Sequence, residues 1–103
     1  MRFPAPDLIV EVISESTERN DRGVKFDDYA AHGVAEYWII DPDVETLEQY
    51  LLPAGSDAYR LAIKAMTGQV RSTAISGFEI PVRAIFDPAI NQAALQALLF
   101  QRN

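Results

Sequence analysis

At 103 residues the chain is one small domain, able to bury roughly 60–70% of its unfolded surface, and 49% apolar content excludes a disordered protein. The formal charge of -6 is uneven, with 12 acids and 4 bases in residues 1–51 against 3 acids and 5 bases in residues 52–103, which argues against a simple basic DNA-binding module. Without cysteine there is neither a disulfide framework nor a thiolate zinc site, which fits a cytoplasmic location, and no run approaches membrane-spanning length.

The first element is a strand. Leu8 to Ile13 is a β-branched apolar run of the kind buried on both faces, and Glu11 interrupts it. An ionised carboxylate in such a place is costly unless a metal ion or a basic or hydrogen-bonding group meets it. Ser14 to Asn20 is polar and turn-like. A helix is predicted from Asn20 or Asp21, either of which can cap it, with Phe26, Tyr29 and Ala30 facing inward and Gly33 as its stop. Ala35 to Ile40 is the next strand, with Tyr37 and Ile39 on one face and Trp38 and Ile40 on the other. Two apolar faces make it central. Two buried strands joined by one helix imply a right-handed parallel crossover.

Asp41-Pro42-Asp43 reads as a turn. Thr46 to Leu51 and Ala58 to Ala65 form a predicted hairpin around residues 53–57. In its second strand Tyr59, Leu61, Ile63 and Ala65 alternate with Arg60, Ala62 and Lys64, as in a half-exposed strand. A turn at Thr67-Gly68 leads to a weaker strand near 69–75. Asp87-Pro88 opens a last helix, whose Ala94, Leu95, Leu98 and Leu99 share a stripe. There is no internal repeat, low-complexity tract or linker.

Three linked motifs stand in order: Pro6-Asp7-Leu8-Ile9-Val10-Glu11-Val12-Ile13-Ser14, then Asp21-Arg22-Gly23-Val24-Lys25-Phe26 with Tyr29, then Gly33-Val34-Ala35-Glu36-Tyr37-Trp38-Ile39-Ile40-Asp41-Pro42. Over about residues 4–86 they closely resemble the Uma-two family of restriction-endonuclease-like proteins, within the PD-(D/E)xK nuclease superfamily. The resemblance implies an α/β fold: a mixed sheet with a strand-helix-strand core followed by hairpins. Residues 1–103 would form its C-terminal portion, with the N-terminal part missing. It also implies an endonuclease that hydrolyses DNA phosphodiester bonds with Mg²⁺ or Mn²⁺. A homodimer is compatible with it; a membrane partner is not expected.

By the same resemblance, Glu11 is the acid of the (D/E)xK half-motif. Ile13 stands where the lysine would be, and Lys25 on the following helix substitutes for it. Glu11 would bind the metal while Lys25 orients or helps activate the attacking water. A structural ion pair of Glu11 with Lys25 or Arg22 is the alternative reading. Asp7 is the nearest candidate for a second metal-binding acid, but ~13 Å of extended strand separates it from Glu11. A metal bound at ~2.1 Å cannot easily span that, so the second acid is expected on an upstream strand. The rival to an enzyme is an inactive remnant serving as an interaction or dimerisation module. His32, Asp41-Pro42-Asp43, and Tyr37 with Trp38 read as helix end, turn and core, and Glu15, Glu18, Asp27 and Asp28 as a solvated face.

Overall fold

Apolar runs with little polar interruption build the centre of the computed structural model, which describes residues 6–86. Strand β1 (Leu8–Val12) is followed by helices α1 (Glu18–Arg22) and α2 (Val24–Ala31), then by strands β2 (Glu36–Asp41), β3 (Thr46–Leu51) and β4 (Arg60–Ala65). These four strands form one sheet in the order β1-β2-β3-β4. As expected, β1 and β2 are parallel, with Glu11 opposite Ile39, while β2-β3 and β3-β4 are antiparallel. A second, two-stranded sheet pairs β5 (Gln69–Arg71) with β6 (Glu79–Pro81), and the short helix α3 (Val82–Ile85) follows.

The layers follow from the alternation of side chains along each strand. On one face Ile9, Ile13, Val34, Tyr37 and Ile39 pack with Phe26 and Tyr29 of α2 and with Tyr50 and Tyr59. On the other, Leu8, Trp38, Ile40 and Leu47 meet Val70, Ile80, Val82 and Ile85 of the second sheet and α3. The central sheet is thus covered by helices on one side and by the small sheet on the other. Strand β2 is the middle of this sandwich, and Glu36 to Ile40 are all buried.

Four expectations need correction. The single helix is two helices, because the chain breaks at Gly23: a Cβ there would lie 2.8 Å from the Arg19 carbonyl oxygen. The polar stretch before it is already partly helical, since Ser14 and Thr17 close a turn that starts α1, with Ser14 N–H donating to Thr17 Oγ1 at 2.9 Å. Strand β1 is not buried throughout: among the described residues nothing pairs its outer edge, and Val12 is 49% exposed. Strand β4 does not keep one alternation, because its register slips between Gln49 and Tyr50 of the partner strand. Tyr59 therefore packs on the helical face and Ala65 on the opposite one, while Leu61 and Ile63 are exposed.

The weak strand near 69–75 ends at Arg71, and its partner β6 and the helix α3 carried no sequence signal. The predicted helix after Asp87-Pro88 lies outside the described residues. The stop at Gly33 is confirmed: its φ of 79° lets Val34 N–H return to the Tyr29 carbonyl and Gly33 N–H to that of Ala30, the paired bonds of a Schellman end. The turn at residues 41–43 is also confirmed, with Asp43 N–H donating to Asp41 Oδ1 at 3.0 Å.

Candidate active site

The break at Gly23 decides where the helical side chains point. It places Arg22, at the end of α1, and Lys25, in the first turn of α2, over the helical face of the sheet. Across that face Glu11, Ile39, Glu48 and Lys64 stand in one lateral row, one residue from each strand. Two carboxylates therefore flank Ile39, and each receives a different base from the helices.

Glu11 receives Lys25. Its Oε2 lies 3.5 Å from Lys25 Nζ, and its Oε1 accepts a hydrogen bond of 3.3 Å from the Tyr29 hydroxyl. The Glu11 side chain is 23% exposed, on the edge strand of the sheet that the described residues form. Lys25 also lies 3.0 Å from Asp21 Oδ1, one helical turn earlier. Asp21 is only 1% exposed, and this ion pair with the Lys25 ammonium is what meets its buried carboxylate. Asp21 and then Glu11 hold the Lys25 ammonium above the ordinary lysine range, so it is charged at neutral pH. Burial, then the charge of Glu11, pushes the Tyr29 phenol up, and it stays a hydrogen-bond donor.

Glu48 receives Arg22, not the reverse assignment of Arg22 to Glu11. The guanidinium donates two parallel bonds, Nη1 to Oε1 at 2.7 Å and Nη2 to Oε2 at 2.9 Å, and Nε donates to Glu18 at 2.7 Å. Tyr50 donates to the same carboxylate, and Lys64 stands 4.0 Å away. Burial raises Glu48, but the bonds from Arg22 and Tyr50 outweigh it and leave the carboxyl below its ordinary value. With both oxygens engaged, Glu48 is a structural acid.

A third buried acid was not anticipated. Glu36 Oε1 accepts from the Ser72 hydroxyl and the Thr73 and Ala74 amides, and its Oε2 accepts from Trp38 Nε1 and Gln49 Nε2. Five donors fill its acceptor sites, so Glu36 ties the loop after β5 to the sheet and has no capacity left for a ligand.

The structure thus brings Glu11 and Lys25 together, as expected, and adds Asp21 and Tyr29. The i,i+4 spacing of Asp21 and Lys25 was the legible signal, masked by reading Asp21 as a helix cap. Asp7 is not part of the cluster. It is exposed at the start of β1, where its carbonyl accepts from Glu36 N–H at 3.1 Å. Among the described residues no three carboxylate, imidazole or thiol groups converge, and no helix is long and apolar enough to cross a membrane.

A family model described as "Uma2: Putative restriction endonuclease" matches residues 2–83. The chain is also similar to the crystal structure of a "putative nuclease belonging to DUF820" from Anabaena variabilis ATCC 29413. The TM-score is 0.62 at 20% identity, over 82% of this chain and 45% of that one. The likeness establishes the shared fold, and this chain spans less than half of that protein's length. No curated protein matches the chain.

Proposed function

The chain belongs to the Uma2 family, and on that premise we propose that it acts as a metal-dependent endonuclease, hydrolysing DNA phosphodiester bonds in the cytoplasm. The observation that carries the proposal is Lys25 Nζ, 3.5 Å from Glu11 Oε2 on the edge strand of the sheet that the described residues form. A lysine carried on the neighbouring helix in place of the strand would meet the strand acid in this way.

Hard divalent cations take oxygen ligands, and the donor set here suits them. Glu11 offers a carboxylate that, among the described residues, a lysine and a phenol engage, and it is partly open to solvent. Glu11 would hold Mg²⁺ or Mn²⁺, which when bound supplies polarisation of the phosphate and a more acidic water. Lys25 carries its ammonium on a flexible stem along the flank of α2, so it can orient the attacking water or the phosphate oxygens. Tyr29 steadies Glu11 from the other side. Asp7, ~13 Å along the same strand, remains at the rim of the site.

An inactive nuclease fold kept as an interaction or dimerisation module is the second reading. It is favoured by the absence, among the described residues, of three converging metal-ligating groups. Conversion of supercoiled plasmid to open-circular or linear DNA separates the two. Cleavage in Mg²⁺ or Mn²⁺, lost with a chelator and in Glu11→Gln, is the expected result. Cleavage unchanged in Glu11→Gln sinks the assignment of Glu11, and a folded wild-type chain inert with either metal leaves the module.

A further inference from the structure

Lys25 has two carboxylates within reach and one charge to share between them. Its Nζ lies 3.0 Å from Asp21 Oδ1 and 3.5 Å from Glu11 Oε2, so the helical acid is nearer than the strand acid. The two acids also differ in their surroundings. The Asp21 side chain is 2% exposed, and an ion pair is stronger where water is excluded. Glu11 is partly open to solvent and has the Tyr29 hydroxyl as a second partner. By distance and by burial, the ammonium belongs first to Asp21. Asp21 is itself fixed at both backbone groups. Its carbonyl accepts a 2.9 Å bond from the Tyr37 hydroxyl of the central strand, and its N–H donates at 2.9 Å to the Thr17 carbonyl. It stands just before the end of α1, while Lys25 is the second residue of α2, so the pair spans the break at Gly23. A lysine stem is flexible, and this anchored acid gives its head one address.

We infer that Asp21 is a positioning residue, which holds the Lys25 ammonium beside Glu11 and so leaves the strand carboxylate free for a divalent cation. The inference rests on the proposed roles of Glu11 as metal ligand and of Lys25 at the attacking water or phosphate. Asp21 itself touches neither metal nor substrate. Without Asp21 the ammonium has one carboxylate left within reach, Glu11, and competes there with the cation. With Asp21 in place, the lysine stays charged and near the site while Glu11 keeps the lone pairs that a hard cation needs.

The test is Mn²⁺ binding to the whole chain, read by calorimetry in about 0.5 M salt, where charge effects across solvent are screened. Asp21→Asn should bind Mn²⁺ about tenfold more weakly, although Asp21 is no ligand. Adding Lys25→Met to Asp21→Asn should restore wild-type affinity, because the competing ammonium is gone. A merely structural loss at Asp21 is not repaired by removing a second group. Asp21→Asn binding as tightly as wild type overturns the inference, and so does a double variant that stays as weak as Asp21→Asn. Glu11→Gln keeps the two failures apart. If Glu11→Gln abolishes binding and Asp21→Asn leaves it unchanged, the positioning role alone falls. If the wild-type chain binds no Mn²⁺, or Glu11→Gln binds it equally well, the role of Glu11 falls and this inference with it. Should Asp21→Asn fail to fold, nuclear Overhauser contacts in the wild-type chain with saturating Mg²⁺ decide. A contact kept between the Lys25 ε-methylene and the Asp21 β-methylene supports the positioning role, and its loss overturns it.

Discussion

Arg22 grips Glu48 with two parallel hydrogen bonds of 2.7 and 2.9 Å, across a sequence separation of 26 residues. This pair fastens the end of α1 to the third strand, and so sets the position of the next turn of helix, where Lys25 begins its reach to Glu11. The Glu48 side chain is 4% exposed, which makes the pair sensitive to loss of either member.

Arg22→Leu should therefore destabilise the fold by about 2–4 kcal/mol, because it leaves a buried carboxylate with only Tyr50 and a distant lysine. Adding Glu48→Gln to Arg22→Leu should recover part of that loss. Urea unfolding monitored by Trp38 fluorescence measures both. A single variant within about 0.5 kcal/mol of wild type, the range of an ordinary surface change, would mean that the helix is held by its aromatic contacts alone.

Acid should weaken the protein through the same carboxylate. Glu48 lies below its ordinary value of 4.5 in the folded chain, after the bonds from Arg22 and Tyr50 outweigh burial. A depressed folded pKa contributes stability that is present above 4.5 and lost as pH falls through the lower, folded value. Stability measured at stepped pH should thus fall below that point, and Glu48→Gln should flatten the slope. An equally steep slope in Glu48→Gln would transfer the acid sensitivity to other carboxylates.

Glu36→Gln should be far from conservative. The new amide NH₂ would point either at Trp38 Nε1 and Gln49 Nε2 or at the Ser72, Thr73 and Ala74 donors, and one set loses its acceptor. The expected cost is about 2–4 kcal/mol, together with a change in emission of Trp38, the chain's single tryptophan. Unchanged emission and stability would show that the loop after β5 is not held by this residue.

Lys25→Met keeps much of the apolar stem and removes the charge. If Lys25 acts on the attacking water or phosphate, cleavage should fall by about 100-fold or more, while the melting temperature changes little. Slower cleavage at unchanged stability separates a catalytic lysine from a purely structural one, whose loss would destabilise the fold instead. Full turnover by a folded Lys25→Met chain excludes Lys25 from the chemistry.

Gly23→Ala should cost about 1–3 kcal/mol, since the added Cβ would meet the Arg19 carbonyl oxygen at 2.8 Å and that oxygen belongs to backbone. A melting curve for this variant checks whether the break between α1 and α2 is required.

Strands β1 and β2 and the crossover between them were legible because long apolar runs satisfy both faces of a sheet wherever the chain goes. So was Gly33, whose left-handed φ is a local property. The acid on β1 and the lysine on the next helix could be paired on the page for the same reason: a crossover returns the helix over the strand it left. Tertiary structure alone decided what each polar group met. The bulge in β4 depends on the register of its neighbour, and β6 and α3 on a core shared with β1, β2 and β3. Glu36, Glu48 and Asp21 look alike as acids in a sequence, yet one binds five donors, one an arginine and one a lysine. Charge on a side chain is local, but its cost and its use are set by whichever groups the fold packs against it, and for Glu48 and Glu36 those come from residues 26 and 36 positions away.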